Sequence, residues 1–306
     1  MRSALGVFRP ATPIAVRLGL AIVTTLAIGC SGGQPVLTRQ VEADHLGGQL
    51  HVEFARGNEA TNRAVIADTD EVSAAAAQEA RVAMTAAADS FARLGPLLGS
   101  LGYTTEKQMA DDFGTRFAEL QTLDAEILPL AVENTNLKAQ RLSFGDAQDA
   151  VDAAVKALRT AYGPPESGES DVLVERIVGS LRQIQVLEAR HIAESDEASM
   201  AKLEAQMHEE EGVALRALAR LHQMGGAPHA TAGAAQKPGA LLDQAEQDVE
   251  RLLSVNQQIV DLSRRNTNVR SLALTLGRRR VVAAECDDLL RALQTALSKR
   301  EFSATR

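Results

Sequence analysis

The chain reads as all-α: an elongated antiparallel four-helix bundle built from two repeated helical hairpins. Three observations predict this. The 306 residues are 45% apolar but only 3% aromatic, with no Trp, and Ala, Leu, Glu, Gln and Arg, all good helix formers, dominate. Long stretches carry apolar residues at helical spacing, and none alternates as a half-buried strand does. Two motifs also occur twice. IADTDEVS (66–73) returns as IAESDEAS (192–199), and NTNLKAQRLSFG (134–145) returns as NTNVRSLALTLG (266–277). The offsets, 126 and 132 residues, differ because the second hairpin has the longer linker. An isolated hairpin buries its apolar stripe poorly, whereas two together close a core.

Residues 1–29 stand outside this pattern. Arg2, Arg9 and Arg17 form a basic start, and LGLAIVTTLAIG (18–29) is an apolar run of 12 residues, short for a membrane span. Small residues then lead into Cys30, the composition of a secretory signal. LAIGC resembles the lipobox of bacterial lipoproteins, which implies lipidation of Cys30 as the mature N-terminus. Ala27 stands where Leu is usual. The implied location is the cell envelope, lipid-anchored, at the outer membrane facing the periplasm. Loss of the leader removes three Arg and no acid, taking the formal charge from −8 to −11. That argues against nucleic acid as a partner, which calls for a basic face. With Cys30 lipidated, Cys286 is the one remaining thiol and no intrachain disulfide can form.

A short tether (30–40) precedes the first helix, expected over 41–99 and including SAAAAQEARVAMTAAAD. GSLGY breaks it. Thr105 then opens a second helix, with Gln108 spaced for a capping box. Phe113, Phe117, Leu120, Leu123, Ile127 and Leu130 form its core stripe, and it runs to about 162, bent at Pro129 and Gly145. GPPESGES (163–170) is a loop. A third helix covers 171–223, GGAPHATAGAAQKPG (225–239) is a linker, and a fourth helix covers 240–302. The first hairpin is thus 41–162, the second 171–302, and 41–302 one coiled-coil-like bundle domain, a rod of roughly 75–90 Å at about 1.5 Å per residue.

The repeats locate the candidate site. Asn134 continues the stripe through Ile127 and Leu130, and Asn266 continues the one through Ile259 and Leu262. Ile66, Thr69 and Ser73 share a face of the first helix; Ile192, Ser195 and Ser199 share one of the third. Counted from the turns, all four motifs fall at one height. They form a polar layer of Thr69, Ser73, Asn134, Ser195, Ser199 and Asn266, flanked by Asp68, Lys138, Glu194 and Arg270. Two readings stand. The layer is a register device, as a buried Asn can be, or it is a small polar ligand site between helices. A solvent-accessible cavity there favours ligand binding; a dry, paired layer favours scaffolding. If the layer only sets register, Leu at both Asn positions should stabilise the fold.

A long first helix carrying IADTDE, followed by EILPLAVENTNLKAQRLSFGDAQDA, resembles the extracytoplasmic four-helix-bundle sensor domains of methyl-accepting chemotaxis receptors. The likeness covers about 41–300. It implies a sensory role and a bundle fold. Those receptors continue into a second membrane helix, a HAMP linker and a signalling rod; this sequence closes at Arg306 without them. A partner, an unidentified envelope or receptor protein, is therefore expected to carry the response.

Other chemistry is weakly represented. E-x-x-H occurs at Glu42/His45 and Glu188/His191, the spacing of di-iron bundle ligands, but the pairs do not correspond between repeats: His191 aligns with Val65. No C-x-x-C-H is present for covalent haem, and no G-x-S-x-G or P-loop. MHEEE (207–211) is a solvated acidic face. The expected role is a lipid-anchored sensory or ligand-binding bundle, non-enzymatic and without a cofactor, free to form a homodimer. A structural envelope lipoprotein is the alternative, and a metal- or haem-binding bundle the third.

Overall fold

The computed structural model describes residues 36–163, 168–225 and 238–304. The signal segment 1–29, Cys30, most of the tether and most of the 225–239 linker lie outside the described residues. The described chain is all-helical: α1 (Val36–Ile66), α2 (Asp70–Ser100), α3 (Thr104–Glu133), α4 (Thr135–Leu142), α5 (Gln148–Tyr162), α6 (Glu169–Ala193), α7 (Glu197–Gln223), α8 (Pro238–Arg265), α9 (Thr267–Leu274) and α10 (Arg280–Ala304). Two π-turns, Ser143–Ala147 and Thr275–Arg279, join α4 to α5 and α9 to α10. No helix among the described residues is long and apolar enough to cross a membrane.

The expected continuous helices over 41–99 and 171–223 are each broken in the middle, which corrects the single-rod arrangement. The chain leaves α1 at Ile66, turns through residues 67–69, and returns as α2. Thr69 caps the return, its hydroxyl accepting from the Val72 N–H at 3.2 Å, with Asp70 and Glu71 in the first turn. In the second repeat Asp196 caps α7, its Oδ2 accepting from the Ser199 N–H at 2.7 Å. Each repeated DTDE/ESDE segment is therefore a helix start, with the cap oxygen and acidic first turn that satisfy free N–H groups and the helix dipole.

The segments 104–162 and 238–304 do run on, each through its NTN triplet and its π-turn. They lie antiparallel. Arg300 pairs with Glu106 at 2.8 Å, Arg116 with Glu285 at 3.0 Å and Arg278 with Glu119 at 2.6 Å, the numbers rising on one as they fall on the other. One core gathers α1, α2, α3 and α10 around Phe54, Phe113, Phe117, Leu94 and Leu290. The other gathers α5, α6, α7 and α8 around Leu158, Ile177, Leu181, Leu218 and Val249. Each repeat thus gives three helices to one cluster and one to the other. Close packing of α1 on α2 depends on small residues. A Cβ on Gly57 would come within 2.9 Å of the Met84 side chain, and Ala60, Ala64, Ala76, Ala77 and Ala80 line the same seam, all buried.

One local expectation fails. Tyr103, not Thr105, is the residue at the start of α3, after Gly102 turns the chain at φ +70°. Thr105 is then already inside the helix and cannot cap it, and Gln108 donates instead to Asp112 at 2.9 Å. Pro129 lies inside α3, which runs on to Glu133. The break falls at Asn134, while Gly145 does lie within a π-turn.

Candidate functional site

The two NTN triplets meet where the long antiparallel segments cross. Asn134 and Asn266 both adopt left-handed backbone conformation, φ 52°, and are the non-glycine residues with positive φ among those described. Asn tolerates this region because its short polar side chain bonds locally. The break leaves the next N–H groups without helical partners, and the opposite strand of the crossing supplies them. The Thr135 N–H donates to the Thr267 hydroxyl at 3.1 Å, and the Thr267 N–H to the Thr135 hydroxyl at 3.2 Å. Asn136 and Asn268 do the same through their side-chain oxygens, at 3.1 and 3.2 Å. Asn136 Nδ2 donates to Asn266 Oδ1, and Asn268 Nδ2 to Asn134 Oδ1, both at 2.8 Å. Glu133 and Arg265, equivalent positions in the repeats, pair across the same axis.

The hairpin turns close on this crossing. Asn136 Nδ2 also donates to the Ile192 carbonyl, and Asn266 Nδ2 to the Glu194 carbonyl, each at 2.8 Å. On the other side Arg141 donates to the Asp68 carbonyl at 3.0 Å, and Lys138 reaches Asp70 at 3.4 Å. The fully buried Ser73 hydroxyl lies 2.9 Å from the Ala64 carbonyl and 3.0 Å from that of Ala131, tying α1, α2 and α3. All four motifs therefore converge, through turns rather than through four parallel helices.

The residues of the expected layer divide accordingly. Asn134, Ser73 and Asn266 are buried in it. Asp68 and Glu194 take part through their carbonyls, and the Glu194 carboxylate turns back to the N–H groups of Ser195 and Asp196 at 2.8 and 2.9 Å. Lys138 bonds the Glu133 carbonyl at 2.8 Å. Thr69 and Ser199 serve the caps. Ser195 and Arg270 are exposed and do not enter the layer. Sequence reasoning missed Thr135, Asn136, Thr267 and Asn268, which carry the reciprocal bonds. The signal was the triplet itself: three consecutive polar residues cannot all face one side of a regular helix.

The layer is closed. Asn134 is fully buried, Thr135 is 1% exposed and Thr267 2%, and most of its polar atoms are paired; Asn134 Nδ2 is a buried donor without a partner. The geometry matches a lock between two clusters. Both Asn positions are left-handed, where Leu is strained, so Leu at both is now expected to destabilise the fold.

Away from the lock, each cluster holds a buried ionisable group. Arg279, 1% exposed, pairs with Asp124 at 2.5 Å; burial lifts the Asp124 carboxyl above its usual range although Arg279 pulls it down. In the other cluster Glu188 is fully buried. It accepts from the Ser143 hydroxyl at 2.7 Å, and its Oε1 has no partner. Burial pushes this carboxyl up to about 7. His191, one turn on, is committed elsewhere, to Ser263 at 2.6 Å and Glu204 at 2.8 Å. Among the described residues no three His, Cys, Asp or Glu side chains are grouped to hold a metal. No protein-family model matches the chain, and no curated protein matches it.

Proposed function

We propose that the chain is a lipid-anchored extracytoplasmic sensory or ligand-binding module that acts through a partner protein. Its two helix clusters are read as antiparallel four-helix bundles in tandem, sharing the two long segments. The supporting observation is the pair of left-handed asparagines where those segments cross. Backbone held in a sparsely populated region marks sites where structure is set for a task, and π-turns gather at such sites as well. Here both occur twice, in symmetric positions, on the elements common to the two clusters. A ligand that repacks one cluster shifts the helices that belong to the other, the kind of discrete change that transmits binding. The resemblance to chemoreceptor sensor domains points the same way, and lipid on Cys30 would hold the module at the envelope.

Native mass spectrometry of the protein recovered from its own host tests this. A retained small molecule is expected, together with a thermal shift when host extract is added to stripped protein. A mass equal to the lipidated chain alone, with no shift, sinks the reading. The closed polar layer favours a second reading, a scaffolding lipoprotein whose two clusters are simply fixed end to end, and that result would leave it standing.

A further inference from the structure

Beside the lock, α1 and the α9–α10 segment enclose an open groove of about 580 Å³, within the size range of small-molecule sites. Its walls are aliphatic and wet: Ile66 is 72% exposed, Leu276 59% and Leu272 42%. Its floor is polar. Arg279 Nη1 donates to Asn58 Oδ1 at 2.8 Å and to Asn62 Oδ1 at 3.4 Å. With both amide oxygens engaged by one guanidinium, the Nδ2 groups of Asn58 and Asn62 are turned the other way, and neither has a partner among the described residues. Asp124 neutralises Arg279 beneath them. The floor thus offers neutral donors. Of the charged residues that line the groove, Glu59 lies 4.0 Å from Arg63 and Asp287 pairs with His51 and Arg291, while Arg280, exposed and without an ion-pair partner among the described residues, adds a positive charge at the rim.

The repeat shows that this floor is not required by the fold. The positions equivalent to Asn58 and Asn62 in the second repeat are Ile184 and Glu188, and the position equivalent to Arg279 in the first is Ala147, so the other cluster closes without the constellation. The apolar face of a docked helix brings backbone acceptors already engaged in helix, and would leave both amides without a partner. A small molecule with a free acceptor at one end and an apolar body satisfies both parts.

We propose that this groove is the ligand site and that it takes an acyl chain ending in a carboxyl or carbonyl head. The chain lies along Ile66, Leu272 and Leu276, and the head oxygen accepts from the Asn58 and Asn62 amides. The proposal rests on the ligand-binding reading above and supplies its site and ligand class. Arg280 favours a carboxylate over a neutral amide of the same length.

Calorimetric titration of the mature protein with decanoate and decanamide, below their aggregation limits, tests this. Saturable one-to-one binding is expected, with decanoate the tighter, and Arg280→Gln should remove that preference. Leu276→Asp and Asn62→Leu alter exposed side chains, so circular dichroism should show both folded; each should weaken binding by about tenfold or more. Absence of saturable binding, or binding unchanged in both variants, overturns the proposal. So does a wild-type dimer that Leu276→Asp converts to monomer without any probe, since the groove is then a self-interface. Native mass spectrometry separates the two readings: host protein that still retains a molecule in the Leu276→Asp variant keeps the ligand reading and discards the groove, whereas wild type retaining nothing discards the ligand reading.

Discussion

Asn136 and Asn268 hold each other's backbone: each N–H donates to the other's side-chain oxygen, at 3.1 and 3.2 Å, 132 residues apart in sequence. The exchange exists because the residue two positions before each, Asn134 or Asn266, is left-handed. The broken helix frees the N–H groups that the opposite triplet then satisfies. The lock and the breaks are one feature, and neither survives without the other.

Substitution at the left-handed positions separates backbone strain from hydrogen bonding. Leu at Asn134 or Asn266 should cost about 1–2 kcal/mol from the left-handed backbone, plus about 1 kcal/mol for lost side-chain bonds. Gly removes the first cost and keeps the second, so Asn266→Gly should melt above Asn266→Leu and below wild type. The double Leu variant should be the least stable of the set. Urea or thermal melts decide, and a double Leu variant more stable than wild type would show that the lock contributes nothing.

The long segments were legible in sequence because their apolar stripes persist for many turns, and the repeat revealed that the four motifs meet. The route by which they meet was not legible. Thr69-Asp70-Glu71 and Ser195-Asp196-Glu197 carry the polar cap and acidic first turn of a helix start, but they sit in stretches whose composition is helix-forming throughout, with neither Gly nor Pro to mark a reversal. Propensity could not register a three-residue turn whose cost is met by tertiary bonds such as those of Ser73. Likewise Asn134 was read as a core-facing helical position. Its side chain is indeed buried, but its left-handed backbone turns the triplet so that Thr135 and Asn136 are buried as well. The Glu188–Ser143 contact and the Arg279–Asp124 pair join residues 45 and 155 apart, and no local pattern announces them.

Arg279 holds a buried carboxylate, so its removal strands a charge. Arg279→Met should cost about 3–5 kcal/mol, the usual penalty for breaking one side of a buried pair. Adding Asp124→Leu should restore most of the loss, because the orphaned carboxylate is then gone. Denaturant melts of the two singles and the double give the coupling. A single Arg279→Met variant as stable as wild type would mean that the pair is not buried.

Glu188 makes stability depend on pH. Its carboxyl titrates at about 7 in the fold against 4.5 as the unperturbed value, so below pH 4.5 it is protonated in both states and carries no penalty. Between pH 4.5 and 7 the unfolded chain loses the proton while the fold keeps it, and stability falls as pH rises, by about 3 kcal/mol in all at 1.36 kcal/mol per unit. Glu188→Gln should therefore gain on wild type progressively over that window and keep a constant advantage above it. Melts of both proteins from pH 4 to 8 read the difference directly; a difference that stays flat across the series rules the buried charge out.

Lipid attachment is a separate question, settled at Cys30. Cys30→Ala should abolish incorporation of radiolabelled palmitate and release the protein from the membrane fraction, since several acyl chains anchor stably where one does so marginally. Label incorporated as in wild type would show that LAIGC is not read as a lipobox.

The convergence of the two turns gives the most direct test of the architecture. Arg141 bonds the Asp68 carbonyl and Asn136 the Ile192 carbonyl, and these two anchors lie five residues apart on α4, about 7–8 Å at 1.5 Å per residue. Cysteines at Ala67 and Ala193, next to the anchored carbonyls, should therefore place spin labels within about 10–25 Å of each other, allowing for helix spacing and label length. The background is favourable: Cys30→Ala removes one native thiol, and Cys286 is fully buried, with burial as the main cause pushing it up to about 12, so it stays an unreactive thiol. Had α1 continued straight through residues 67–69, α2 would extend away from the crossing, and the α1–α2 seam of Gly57, Ala60 and Ala80 could not form. A pulsed electron–electron distance within that range supports turns that close on one lock. A distance beyond about 50 Å, more than the length of a 30-residue helix, would mean that the two hairpins do not share a junction, and the reciprocal bonds of Asn136 and Asn268 would fall with it.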